Sequence, residues 1–133
     1  MIRILFALMA LMFSINTSAN NSGTNDSDFA YYGLEPEIVT NYIRASNRMG
    51  YVRTSIELMA QSPSDLETLE HHDALIRATV VEILGAQTEE QIKSLEGREA
   101  IRQLCLTTIN ELLHHETGRQ IVVNLLFTKY LYD

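Results

Sequence analysis

The two stretches EGREAIRQLCLTTINELL, residues 96–113, and IVVNLLFTKYLY, residues 121–132, decide how this chain folds. In the first, Ile101, Leu104, Cys105, Thr108 and Leu112 recur at the three/four spacing that lines one face of a helix. Ile109 and Leu113 widen that stripe, and Arg98, Arg102, Asn110 and Glu111 are expected on or near the wet side. Gly118 is a suitable helix stop. The second stretch is β-branched and aromatic without breakers, which predicts a strand. An amphipathic helix must lay its stripe on another layer, and a sheet containing that strand is the nearest one.

Upstream, residues 51–60 alternate. Val52, Thr54, Ile56, Leu58 and Ala60 fall on one side; Tyr51, Arg53, Ser55 and Glu57 fall on the other. That is the pattern of a half-buried antiparallel strand. The β-prone segment Ile38–Ile43, joined to it through RASNRMG (44–50), predicts a hairpin. Tyr31–Pro36 is aromatic and then broken by proline, which suits an edge or a turn. Ser62-Pro63-Ser64-Asp65 carries a helix start: a capping serine, a proline for the first position and an acid for the positive end of the helix dipole. Leu66, Leu69, Leu75, Ile76, Val80, Ile83 and Leu84 give that helix its apolar side, and Gly85 ends it. Thr88-Glu89-Glu90-Gln91 is a capping-box pattern, with Ile92 and Leu95 expected inward and Gly97 as a bend or restart before the long helix. Together these elements predict an α/β fold of the α+β type: a small, mostly antiparallel sheet packed by two to three helices.

The 133 residues make one domain, residues 29–133. With 46% hydrophobic and 20% charged residues, the chain has a globular composition. A net charge of −7 disfavours nucleic acid and anionic lipid as partners, since both call for a concentrated basic surface. Residues 1–19 read as a cleavable export signal. Arg3 is followed by the nearly unbroken apolar run Ile4–Ile15, and Thr17-Ser18-Ala19 supplies small residues before a cut between Ala19 and Asn20. The run is shorter than the ~20 apolar residues that cross a bilayer; an uncleaved anchor is the alternative. Residues 20–28 are polar and Gly/Ser/Asn-rich, a flexible linker.

Chemistry-bearing motifs are sparse. Cys105 is the single cysteine and lies in the apolar stripe, so it is expected to be a buried hydrophobe, not a nucleophile. The pairs His71-His72 and His114-His115 cannot each clamp a metal, because neighbours on a helix diverge by about 100°. Glu111 and His115 share a face, but a zinc site needs three or four converging ligands. No GxSxG elbow, phosphate loop or dinucleotide fingerprint occurs, and neither catalysis nor a cofactor is expected. Six tyrosines are many for so small a domain. Tyr31, Tyr32, Phe127, Tyr130 and Tyr132 are the interface candidates, with cross-strand packing as the competing role.

From Tyr31 onward the chain resembles the periplasmic domain of the FliL family, flagellar basal-body-associated proteins. The resemblance is carried by LEPEIVTNY (34–42), YVRTSIEL (51–58), HDALIR (72–77), LEGREAIR (95–102), INELL (109–113) and LFTKY (126–130). It implies a fold similar to stomatin-like (SPFH) domains and no enzyme activity. It also implies a periplasmic place at the inner membrane, beside the ion-driven MotA/MotB-type stator, and assembly with other FliL-like subunits as a homo-oligomer. A periplasmic ligand- or metal-binding module using the histidines, and a stomatin-like membrane scaffold unrelated to motility, are the alternatives.

Overall fold

Among the described residues every other strand pairs with β3, Gly50–Ala60. The computed structural model describes residues 28–46 and 48–133; the export signal, its cut at Ala19/Asn20 and most of the 20–28 linker lie outside the described residues. β4, Val122–Tyr132, runs antiparallel along one side of β3, from Val52 opposite Tyr132 to Ala60 opposite Val122. Two short strands share the other side. β1, Ala30–Gly33, pairs with Glu57–Ala60, and β2, Ile38–Tyr42, pairs with Gly50–Thr54. The expected hairpin is therefore β2–β3. The sheet is antiparallel throughout, with irregularities in the β3–β4 register at Ser55/Ile56 and Met59/Ala60.

The alternation read in β3 is observed. Val52, Thr54, Ile56, Leu58 and Ala60 are buried beneath the helices, while Tyr51 and Arg53 are exposed on the opposite face. Thr54 is the polar exception in that row, and its Oγ1 donates to the Lys129 carbonyl at 2.9 Å. A buried hydroxyl thus keeps a partner, as burial requires.

Among the described residues all helices lie between β3 and β4 in sequence. A single 3₁₀ turn, Pro63–Asp65, leads into α1, Leu66–His71, and then α2, Asp73–Gly85. One continuous helix from Ser62 to Gly85 is expected from the sequence; the structure divides it at His72, which adopts φ −99°, ψ 9°. The cause is local. The Thr68 carbonyl accepts from both the His72 amide, at 3.2 Å, and its Nδ1, at 2.8 Å. A side chain that takes a backbone acceptor offers the chain an alternative to the regular helix. Ser62 makes no capping bond to a backbone amide; its hydroxyl donates to the Asp65 carboxylate at 3.2 Å.

α3, Glu89–Lys93, starts with the expected capping box. Thr88 Oγ1 accepts the Gln91 N–H at 3.4 Å, and Gln91 Oε1 accepts the Thr88 N–H at 2.9 Å. Ile92 is buried, but Leu95 is 76% exposed, against expectation, because the chain turns at Ser94 before Leu95 begins the next helix. That helix, α4, spans Leu95–Thr117 and ends at Gly118, whose φ of +79° suits glycine. Gly97 belongs to the restart and not to a bend: it lies in the first turn of α4, where Ser94 Oγ accepts its N–H at 3.0 Å.

The buried row of α4 is Ile101, Cys105, Ile109 and Leu113. Leu104 is 46% exposed, so the stripe is rotated from the expected one. The same rotation brings Arg102 and Asn110, expected on the wet side, against β4. On α2, Ile76, Val80, Ile83 and Leu84 are buried while Leu75 faces out. Each buried Ile or Leu contributes roughly 1.5–3 kcal/mol by leaving water. The core therefore rests on one sheet face and the helices over it.

Cys105 is fully buried and free, and burial pushes its thiol up to about 12. Attack on a disulfide or maleimide needs thiolate. We expect the native protein to resist thiol reagents for hours and to label at once in denaturant. Fast native labelling, followed by mass spectrometry, would show that the α4 stripe opens.

Candidate interaction surface

An edge strand carries backbone donors and acceptors with no strand to receive them. β4 is such a strand, because among the described residues it pairs with β3 alone. Half of its outer edge is closed by α4. Asn110 meets Val122 as a neighbouring strand would: Nδ2 donates to the Val122 carbonyl at 2.8 Å, and Oδ1 accepts the Val122 N–H at 3.1 Å. One helical turn pair earlier, Arg102 Nη1 donates to the Leu125 carbonyl at 3.2 Å and to Asn124 Oδ1 at 2.6 Å. The rest of the Arg102 fork grips Glu99, at 2.7 and 2.8 Å. Those bonds, joined by one from Gln103, hold the Glu99 carboxyl down at about 2. Arg102 is thereby oriented by one carboxylate while it closes a strand edge.

Past Leu125 the edge changes character. Among the described residues α4 makes no hydrogen bond to the β4 backbone from Leu126 to Tyr132. Aromatic side chains gather there instead. The Phe127 and Tyr130 rings stand 5.1 Å apart, and the Tyr130 and Tyr132 rings 6.2 Å apart. Tyr130 is half-buried, its hydroxyl donates to the Ile92 carbonyl at 3.2 Å, and burial pushes it up to about 12. Tyr132 is 48% exposed. Two cations lie over these rings: Arg98 over Tyr130, at 5.6 Å, and Lys93 over Tyr132, at 5.8 Å. Lys129, on the strand itself, is paired with Glu37, whose carboxyl that bond lowers.

The end of β4 is tied to the β2–β3 corner. The Asp133 carbonyl accepts from Tyr42 Oη and Arg44 Nη2, each at 2.6 Å, and its carboxylate accepts the Tyr51 N–H at 2.8 Å. This fixes the strand while leaving its outer side clear.

The other two candidates lie on the opposite edge, in β1. Tyr31 is 55% exposed on the bare sheet face. Tyr32 points to the helix side, where its hydroxyl donates to Asp73 Oδ1 at 3.1 Å. Burial, with that carboxylate adding to it, raises the Tyr32 phenol. Of the five candidates, Tyr31 and Tyr132 are therefore the most available, while Tyr32, Phe127 and Tyr130 pack against the core fringe. The structure brings Phe127, Tyr130 and Tyr132 together and leaves Tyr31 and Tyr32 across the sheet. Sequence reading missed Lys93 as an edge residue and took Arg98 and Arg102 for solvated helix charges. The recurrence of Arg98 and Arg102 one turn apart beside a strand-forming tail was the available signal.

The histidines do not converge. His72 is engaged with Thr68, and His115 lies 3.3 Å from Glu116 in the last turn of α4. Among the described residues no three of His, Cys, Asp and Glu are gathered as a metal would require, and no helix is long and apolar enough to cross a membrane.

The class defined by this architecture is a small α+β domain built on one antiparallel sheet, with helices on one face and, among the described residues, the other face bare. The family model of the flagellar basal body-associated protein FliL matches residues 31–132, and the chain belongs to that family. The chain is also similar to the flagellar protein FliL of Aquifex aeolicus (strain VF5), at 30% identity over 100 residues. That match covers 75% of this chain but 59% of the Aquifex protein's length.

Proposed function

We propose that this protein is exported to the periplasm and supports flagellar motility there as a non-enzymatic accessory of the basal body. It binds near the stator, at a MotB-type periplasmic region, and it binds copies of itself. Residues 1–19 are read as the export signal, cut between Ala19 and Asn20. A stomatin-like relation of the domain is part of the same reading. Membership of a basal-body-associated family supports the flagellar role. The observation that carries the binding role is the placing of Tyr31 and Tyr132, each about half exposed, on opposite edges of one sheet. Two separated aromatic patches let a domain hold two different neighbours at once, as a head-to-tail assembly or an adaptor requires. Tyrosine gives such contacts a large area at small entropic cost.

The test is a deletion scored for swimming speed and stator occupancy, with two single substitutions beside it. Tyr31→Asp and Tyr132→Asp spare the core and are expected to leave far-UV circular dichroism unchanged while lowering self-association or swimming speed. Tyr32→Asp is a poor probe, since it would set a second carboxylate beside Asp73. A deletion strain that swims at wild-type speed with full stator occupancy would sink the proposal.

A further inference from the structure

We propose that the open half of the β4 edge, Phe127–Tyr132, is a strand-addition site for an extended acidic segment of a partner protein. The inference rests on the reading that the domain acts by binding, and it specifies what is bound. Three observations lead to it.

The first is the asymmetry of the edge. Asn110 occupies both backbone groups of Val122, Arg102 takes the Leu125 carbonyl and Asn124 Oδ1 accepts the Leu125 N–H, so a strand cannot add there. Natural sheets close their edges with side chains, charges or covering elements to prevent unwanted pairing. Here the closing stops at Leu125; past the irregularity that leaves Thr128 without a partner, Lys129–Tyr132 run in register along Ser55–Val52 and, among the described residues, pair only to β3. An extended chain can add to this part through main-chain hydrogen bonds.

The second is the charge beside it. The protein as a whole carries −7. Against that background, Lys93 and Arg98 are set over the rings of Tyr132 and Tyr130 on the helix side, while Lys129 leaves the strand on the opposite face, where it pairs with Glu37. Lys93 shares its charge with Glu89, and Lys129 with Glu37. Arg98 has no carboxylate partner among the described residues, and its near neighbour is an aromatic face. A guanidinium stacked on a ring keeps its donors free for a carboxylate. An added strand places alternate side chains over the helix side, towards Lys93 and Arg98. Carboxylates at those positions complete the pairing.

The third is rigidity. The Tyr130 and Tyr132 hydroxyls donate to the carbonyls of Ile92 and Lys93, at 3.2 and 3.5 Å, and Arg44 and Tyr42 hold Asp133. The edge is held in strand form before anything binds, which lowers the ordering cost of association. A second copy of this acidic chain is the weaker fit to a cationic rim, and it is separated from the proposed occupant by the experiment.

The probe is a fluorescein-labelled octapeptide of alternating glutamate and valine, titrated into the purified protein by anisotropy and by amide NMR. Its lysine–valine counterpart and an alternately N-methylated glutamate–valine version are the controls. The expected result is saturable, salt-sensitive binding of the acidic peptide alone, with shifts at the amides of Phe127–Tyr132. The Lys93→Ala/Arg98→Ala protein, its circular dichroism unchanged, should bind roughly tenfold more weakly. Equal binding of the lysine peptide or of the N-methylated peptide overturns the proposal, as does no binding at all. So do shifts confined to β1, or dilution-dependent shifts at Phe127–Tyr132 that show a second copy already seated there. Any of these outcomes, in a protein whose deletion still impairs swimming, removes the strand-addition site and leaves the motility role standing.

Discussion

Arg119→Ala is expected to destabilise the fold by about 3 kcal/mol, and Asp65→Ala by clearly less. Asp65 lies in the 3₁₀ turn before α1 and is completely buried. Its carboxylate pairs with the Arg119 guanidinium, from the turn after α4, and accepts the Ser62 hydroxyl. The two ends of the pair are not equivalent, because the Arg119 side chain is 53% exposed. Removing the arginine strands a charge where water does not reach, a change that typically costs about 3–5 kcal/mol. The exposure of Arg119 puts this case at the lower end. Removing the carboxylate instead lets the guanidinium turn into solvent, so that only the pairing and one hydroxyl bond are lost, about 1–2 kcal/mol.

Urea unfolding of the two single variants and the double variant decides this, read from midpoints at constant slope. In the double variant the stranded charge is gone, so Asp65→Ala should partly rescue Arg119→Ala. Residues in direct contact show such non-additivity, and distant ones do not. Equal costs for the two single variants, with simple additivity in the double, would mean that Asp65 is reached by water. At about 3 kcal/mol the shift in melting temperature for a domain near 100 residues is on the order of 10–20 °C.

Asp65 also marks where sequence reading stops. Its position after Ser62-Pro63 is that of a first-turn acid facing the helix dipole, and nothing local says that a residue 54 positions later turns back to meet it. The same limit explains α4. Spacing alone identified the helix, its capping stop at Gly118 and the strand after it, because those depend on near neighbours. Which of two adjacent rows is buried depends on what the helix lies beside. Ile101, Cys105, Ile109 and Leu113 won over the row containing Leu104 because the flank bearing Arg102 and Asn110 is needed at the β4 edge. Polar residues next to an apolar stripe read as solvated until the strand edge they satisfy is known. The β3 alternation had no such ambiguity, since a period of two leaves only two faces. Among the tyrosines, exposure of Tyr31 and Tyr132 and engagement of Tyr32 with Asp73 depend on helix placement and were equally out of reach.

Gly97→Ala is the substitution in α4 for which helix propensity and packing give opposite signs, and packing is expected to win. In an isolated helix alanine is favoured over glycine by about 1 kcal/mol. Here a Cβ on Gly97 would fall 2.1 Å from the Gln91 carbonyl oxygen and 2.6 Å from the Gln91 Cα. Both are backbone atoms, so no rotamer change relieves the contact. Gln91 is held by its capping box with Thr88, and the Gly97 N–H is held by Ser94, so the two helix starts cannot separate without losing caps. Overpacking of this kind typically costs about 1–3 kcal/mol and occasionally more, and a lost cap adds about 1 kcal/mol. The net expectation is destabilisation by roughly 2–3 kcal/mol. Gly33→Ala is the control: nothing lies within 4 Å of a Cβ there, and the change should stay within about 0.5 kcal/mol. The strain should also be felt at the candidate surface. Moving α3 displaces the buried Ile92 and the carbonyls to which Tyr130 and Tyr132 donate. Near-UV circular dichroism of Gly97→Ala should therefore lose tyrosine signal well below its melting temperature. A variant as stable as the parent, with its tyrosine signal intact, would mean that α3 and α4 are not in backbone contact at Gly97.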